Sequence, residues 1–202
     1  MSKYFNQGWF GRHPIMYDFA GFFISPIRKF AAKKMGLEKL KIIDIATGTG
    51  AHAYQLAKQK HNVIGIDLDK KMLEKASKKI IPDLKLKFNY ADGTNTNFPD
   101  SEFDAATISF AMHDIPYDIG IKILNEAKRI VKNTGFIFIV DYNNLSGIGS
   151  KILHFFARLY ESPNYEPFVR DNLSSYLKNA GLEIEDKSTF LGAVQFVKVR
   201  SM

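Results

Sequence analysis

The chain has 202 residues, 46% of them apolar and 24% charged, with no cysteine and a net charge of +7. This is the composition of one globular domain, long enough to build a core without disulfide or metal staples. It excludes thiol catalysis, disulfide frameworks and cysteine-ligated zinc or iron–sulfur centres, and it is compatible with a reducing compartment.

The positive charge sits at one end: residues 1–41 carry eight basic and two acidic side chains, against 20 and 19 in the remainder. The opening "MSKYFNQGWFGRHPIMYDF" lacks the apolar stretch of a signal peptide, and no run approaches the roughly 18 apolar residues of a membrane span. The chain therefore reads as cytoplasmic. Next comes "YDFAGFFISPIRKFAAKKM", in which Phe22, Phe23, Ile24, Ile27, Phe30 and Met35 mix with Arg28, Lys29, Lys33 and Lys34. Helical spacing puts Ile27, Phe30, Ala31 and Met35 on one face, with Lys34 inside that stripe unless it snorkels. A basic amphipathic helix suits an anionic membrane surface, such as the inner membrane face, through residues 17–35. It suits equally a cap packed on its own domain. Residues 1–40 are assigned to this basic, aromatic N-terminal helical cap, and 41–202 to the main domain.

From Lys41 short apolar runs alternate with helical spacing. Strands are expected at 41–46, 62–67, 84–90, 104–109 and 135–141, and helices at 50–60, 69–80 and 118–132. In the last helix Ile119, Ile123, Ala127, Ile130 and Val131 share a face. Such alternation predicts an α/β fold with a parallel sheet covered by helices on both faces. Helices at 147–160 and 170–180 follow, and "LEIEDKSTFLGAVQFVKVR" closes the chain as a hairpin turning near Gly192.

Three stretches carry chemistry. In "IIDIATGTGAHAYQLA" a strand turns through Gly48 and Gly50 into a helix, where glycine permits close approach of a ligand and the helix start offers unpaired N–H groups. The spacing Gly48-x-Gly50-x-x-Ala53 also matches a dinucleotide loop, so this stretch alone leaves the ligand open. In "VIGIDLDKKMLEKA", Asp67 ends the second strand 19 residues after Gly48, where a carboxylate can accept both hydroxyls of a ribose. Asp69 there reads as a helix cap. Asp92-Gly93 follows the third strand, either as a plain turn or as a contact for an adenine edge.

Together these stretches resemble the class I S-adenosylmethionine-dependent methyltransferases. "IIDIATGTG" resembles their first motif, "VIGIDLDKKML" the acidic loop, "FPDSEFDAATISFAMHDI" the fourth-strand motif and "RIVKNTGFIFIVDY" the fifth strand with its preceding helix. The resemblance covers about residues 40–200. It implies a Rossmann-like, seven-stranded, mostly parallel sheet with a C-terminal antiparallel hairpin, and S-adenosylmethionine as cofactor with no metal. It also implies roles: Asp44 and the loop of Ala46, Thr47, Gly48 and Gly50 hold the methionine end and Asp67 the ribose. Leu68 and Met72 pack on adenine, Asp92 and Gly93 read its edge, and Ser109 lines the sulfonium side. A short-chain dehydrogenase would need a Tyr-x-x-x-Lys pair far downstream, whereas the one pair of this type, Tyr54 and Lys58, lies directly after the loop.

Methyl transfer from a sulfonium needs alignment and exclusion of water more than a dedicated base. Few residues therefore name the acceptor. The Asn/Asp-Pro-Pro-Tyr stretch of enzymes that methylate nucleic-acid amines is replaced by "SFAM" at 109–112, and the glutamate pair of protein arginine methyltransferases is missing. "SGIGSKILHFFARLYESPNYEPF", within a lid insertion at 143–168, is apolar on more than one face and with the cap could enclose a lipophilic or membrane-associated acceptor. Two lipophilic-substrate groups are nearest in resemblance: the ubiquinone/menaquinone-biosynthesis C-methyltransferases and the soluble phospholipid N-methyltransferases. The quinone enzymes' Asn-Asp pair after Tyr17-Asp18 is absent, and Asp141-Tyr142 stands where they carry Glu-Phe, which leans toward a phospholipid headgroup amine. A soluble metabolite remains the alternative acceptor; a non-catalytic cofactor-binding protein and a nicotinamide oxidoreductase are more remote. Tyr17, His113 and Asp141 are the catalytic candidates: Tyr17 to shape the pocket, His113 as a group near the acceptor or a structural histidine, Asp141 to orient an amine or hydroxyl.

Overall fold

The computed structural model describes residues 25–144 and 162–202. Tyr17, the expected helix at 147–160 and most of the 143–168 insertion lie outside them. Seven strands form one sheet: β1 (Lys41–Ile45), β2 (Asn62–Asp67), β3 (Leu86–Tyr90), β4 (Phe103–Ser109), β5 (Val131–Tyr142), β6 (Leu182–Phe190) and β7 (Val194–Ser201). Their order is β3-β2-β1-β4-β5-β7-β6. The first five are parallel, and β7 runs antiparallel between β5 and β6.

The helices are α1 (25–34), α2 (Ala51–Lys58), α3 (Lys70–Ser77), α4 (Tyr117–Ile130), α5 (Tyr165–Asp171) and α6 (Ser174–Ala180), with a 3₁₀ turn at Met112–Asp114. Alternate strand residues feed two cores. Ile43, Ile45, Ala106, Ile108 and Ile139 face α4, α5 and α6. Ile42, Ala105, Phe138 and Val140 face α1 and α2. Both faces of the sheet are therefore covered.

Two expectations change. The helix expected at 170–180 is two helices, broken where Asn172 (φ 52°) and Leu173 (φ 67°) are left-handed; Asn tolerates that conformation, and Leu173 is held in it by complete burial. Val131, expected on the helix face, begins β5, pairing with Phe103 before a register shift leads to the main ladder.

Helix α1 settles where its apolar stripe goes. Ala31, Ala32 and Met35 are buried against the sheet, and Ile27 packs beside them. The face that suited a membrane is thus used in folding. Phe30 packs edge-on against Phe196 at 5.3 Å, and Lys34 Nζ lies 5.5 Å from the Phe30 centroid and 5.9 Å from that of Phe196. The lysine in the stripe is accommodated as a cation over aromatic faces. Among the described residues no helix is long and apolar enough to cross a membrane.

Candidate cofactor site

Strand β1 delivers the chain into a turn in which Ala46 (φ 56°), Gly48 (φ 55°) and Gly50 (φ 71°) are all left-handed. At Gly50, the N-cap of α2, a Cβ would stand 2.4 Å from Phe88 Cζ of β3, so glycine is required by space as well as by angle. The turn is fixed by hydrogen bonds from the Thr47 N–H to the Ile66 carbonyl (2.9 Å) and from the Gly50 N–H to the Thr47 carbonyl (2.9 Å). The Thr47 hydroxyl donates to Asp44 Oδ2 at 2.5 Å.

Asp67, at the end of β2, ties the neighbouring loop to this turn. Its Oδ2 accepts the Gly48 N–H at 2.7 Å and its Oδ1 the Asp69 N–H at 2.9 Å. Each carboxylate oxygen has a second lone pair, so Asp67 keeps acceptor capacity. Asp69 caps α3, accepting from the Lys71 and Met72 N–H groups. After β3, Asp92 Oδ1 accepts both the N–H (2.9 Å) and the hydroxyl (2.7 Å) of Thr94. The rest of that loop is clamped to α4: Glu126 Oε1 takes the Thr96 N–H at 2.7 Å and its hydroxyl at 2.6 Å, and Arg129 bonds Glu126 and Asp100.

A slot opens at this sheet edge, where α/β folds place their ligands. Ile45, Ile66 and Ala91 form its floor, and Asp67, Leu68, Asp92 and Gly93 lie along its rim. Pro116, Ile119 and Ile123 make the opposite wall. Such a lining accepts a flat ring with apolar faces and hydrogen-bond donors at its edges. Ala46, Asp67, Leu68, Asp92 and Gly93 converge on the slot. Asp44, Thr47, Gly48 and Gly50 lie in the strand and turn beside it, and Ser109 ends β4 with a buried hydroxyl that has no hydrogen-bond partner. Met72 is half-buried on α3 and is not part of the lining. Pro116, Ile119 and Ile123 are additions. Their spacing reads as core; only the sheet order reveals that the start of α4 hangs over the same edge.

Burial pushes the Asp44 carboxyl up to about 7, against the pull of the Thr47 hydroxyl and the Arg28 charge. Burial also raises Asp67, opposed by its backbone donors. His52 is driven down to about 3 by burial and by Arg28, which keeps its ring neutral; its Nε2 lies 3.2 Å from the Thr107 hydroxyl.

The catalytic candidates His113 and Asp141 form one buried pair. His113 Nδ1 lies 2.6 Å from Asp141 Oδ1, which also accepts the Tyr142 N–H, while Oδ2 takes the Met112 N–H at 3.0 Å. The Asp141 side chain is 0% exposed. Asp141, expected to orient an acceptor amine or hydroxyl, has its oxygens bonded to His113 and to the Met112 and Tyr142 N–H groups, which ties the turn after β4 to the end of β5. The His113 ring is boxed edge-on by Tyr142, Tyr165 and Phe168. Among the described residues no group of three or more His, Asp or Glu is placed to hold a metal ion.

Residues 42–135, from β1 to the start of β5 and including every residue of the slot, match the family model of a methyltransferase domain. The ubiquinone/menaquinone biosynthesis C-methyltransferase of Citrifermentans bemidjiense is 32% identical over 173 residues, covering 82% of this chain and 73% of that protein. The chain belongs to the class I S-adenosylmethionine-dependent methyltransferases. Solved members have the same fold: an S-adenosylmethionine-dependent methyltransferase from Thermotoga maritima, described as a possible histamine N-methyltransferase, superposes with a TM-score of 0.71 at 20% identity, covering 96% of this chain and 98% of that one. One from Aquifex aeolicus gives 0.67 at 20% identity, over 85% and 88%. The cofactor of this methyltransferase, when bound, supplies a methyl group on a sulfonium, activated for direct displacement.

Proposed function

We propose that this methyltransferase holds S-adenosylmethionine in the slot at the ends of β1, β2 and β3 and methylates a ring carbon of a lipophilic, quinol-type acceptor. The observation that carries the acceptor is the 32% identity, over 82% of the chain, to an enzyme named for C-methylation in ubiquinone and menaquinone biosynthesis. Methylation of a phospholipid headgroup amine, toward which the missing quinone signature leans, finds no support among these relatives.

In this reading Asp67 accepts the ribose hydroxyls while its bonds to Gly48 and Asp69 fix both loops. Asp92 and Gly93 meet the adenine edge, and Leu68, Ile119 and Ile123 flank its faces. Ser109 lines the sulfonium side, beside the turn of Ala46, Thr47 and Gly50. Met72 of α3 is the further candidate to pack on adenine, and Tyr17, outside the described residues, is the candidate to shape the acceptor pocket. His113 and Asp141 are positioning residues, holding the aromatic box at the ends of β4 and β5. The cofactor, held by these residues, would supply its methyl to an electron-rich ring carbon with the sulfur as leaving group, and the displaced ring proton would pass to solvent. The protein contributes alignment and dryness, which the apolar slot and the aromatic box favour. Exposed Lys29, Lys33 and Lys34 on α1 are the groups that would meet an anionic membrane delivering such an acceptor.

The test combines purified protein, methyl-labelled S-adenosylmethionine and a membrane-containing cell extract, with and without reductant. Label in the organic phase that comigrates with quinones and requires reductant is the expected result. Label in methylated phospholipid, or in the aqueous phase, overturns the acceptor.

A further inference from the structure

The tip of the β6–β7 hairpin presents Leu191 almost wholly to solvent, at 84% exposure. The Ala193 N–H donates to the Phe190 carbonyl at 3.0 Å, closing a turn whose two central residues, Leu191 (φ 50°) and Gly192 (φ 70°), are both left-handed. Such a turn favours Asn, Asp or Gly at those places. The leucine is therefore unfavourable both in its backbone conformation and in its exposure, and burial offsets neither. The tip is nevertheless held firmly. Asn143, just after β5, donates its backbone N–H to the Ala193 carbonyl at 2.8 Å and its Nδ2 to the Gly192 carbonyl at 3.0 Å. Val194 pairs with both Tyr142 and Phe190, so the tip stands at the C-terminal ends of the parallel strands, the edge on which the slot opens.

Beside the tip, Phe190 meets Phe30 of α1 with ring centroids 6.3 Å apart, and Phe30 is itself exposed. Lys29, Lys33 and Lys34 are exposed on the same helix. Neither contributing stretch holds an acid: residues 25–37 contain four basic and no acidic side chains, and residues 187–198 two and none. We propose that Leu191, Phe190 and Phe30 form a shallow apolar wedge that enters an anionic phospholipid surface, with the α1 lysines at headgroup level. An apolar tip flanked by cations alone matches such a surface, whose interior takes the leucine and whose phosphates take the ammonium groups. The contact uses the hairpin tip and the outward side of α1, not the buried stripe of that helix. It rests on the quinol reading only for its purpose: a lipophilic acceptor would reach the edge where the slot opens without crossing water.

The experiment is co-flotation of the full chain with vesicles of phosphatidylcholine alone, or of phosphatidylcholine and phosphatidylglycerol in equal parts. Wild type should float with the anionic vesicles and much less with the neutral ones. Leu191→Asn suits the left-handed turn, so its thermal midpoint should equal or exceed that of wild type. Its binding to anionic vesicles should fall about tenfold, the scale of withdrawing one leucine from an apolar phase. Lys29→Gln combined with Lys33→Gln should lower binding roughly 10- to 30-fold at low salt. No flotation of wild type, as expected if this patch instead meets an acidic protein, or unchanged binding of Leu191→Asn, overturns the proposal. Turnover of a short-chain, water-soluble quinol keeps the two readings apart. Wild type and Leu191→Asn should methylate it at equal rates; no methylation with flotation intact defeats the acceptor and leaves the docking surface standing.

Discussion

Asp44 has a stability consequence of its own. Burial pushes its carboxyl up to about 7, against 3.8 for an ordinary aspartate. The native state therefore holds a proton that the unfolded chain releases. Stability from this group is highest below pH 3.8, falls as pH rises toward 7 and is flat beyond. Asp44→Asn should match wild type in urea unfolding below about pH 3.5 and exceed it at pH 8, by an amount on the order of a few kcal/mol. Parallel stability curves for the two proteins would refute this. The same variant should lose S-adenosylhomocysteine affinity, so stability and binding pull in opposite directions at one residue. The position of Asp44 beside the loop follows from "IIDIATGTG"; its complete burial and the nearby charge of Arg28 do not, because α1 meets β1 only through the fold.

Among the elements, the loop after β3 depends most on a neighbour. Glu126 is buried and bonded to Thr96 and Arg129, and the Arg129 bond is the chief reason its carboxyl titrates below 4.5. Glu126→Gln should cost about 1–2 kcal/mol at neutral pH, a fall of roughly 2–8 °C in Tm for a chain of this size. Since a depressed carboxyl stabilises above its unfolded value and loses that contribution as pH falls through its folded one, the deficit should shrink below pH 4.5. Equal deficits at pH 7 and pH 4 in thermal melts would count against the ion pair. The regular elements were the most legible part of the sequence. Strand β2 matches at both ends, and the cap of α3 at Asp69 was readable, since periodicity and capping are local. Glu126 gave no signal, because its partner Thr96 lies 30 residues away. The break at Asn172 and Leu173 was also hidden: a buried leucine held left-handed is a tertiary effect. Ile119 and Ile123 look like core positions in any helix, and become slot wall only through the crossover that brings α4 to the sheet edge.

Over the whole molecule, the net charge and the sheet order act separately. The N-terminal excess of basic residues suits a membrane surface and a packed cap alike; α1 lays its apolar face on the sheet and buries one of its cations at Arg28, leaving lysines as its outward surface. The antiparallel hairpin has an effect on the order of folding. β6 reaches the sheet only through β7, and β7 is pinned in register by Gln195, whose Nε2 donates to the Tyr142 carbonyl at 2.8 Å. As the chain is synthesised, β5 emerges well before its outer partner and presents an unpaired ribbon containing Ile137, Ile139 and Val140. Such an edge recruits other chains until it is covered. A fragment ending at residue 181 should scatter light on refolding while the full chain stays dispersed, and a monodisperse fragment would show that the parallel strands protect themselves. β7 thus works as an internal stopper, and the interval before it arrives is when this protein is most exposed to aggregation.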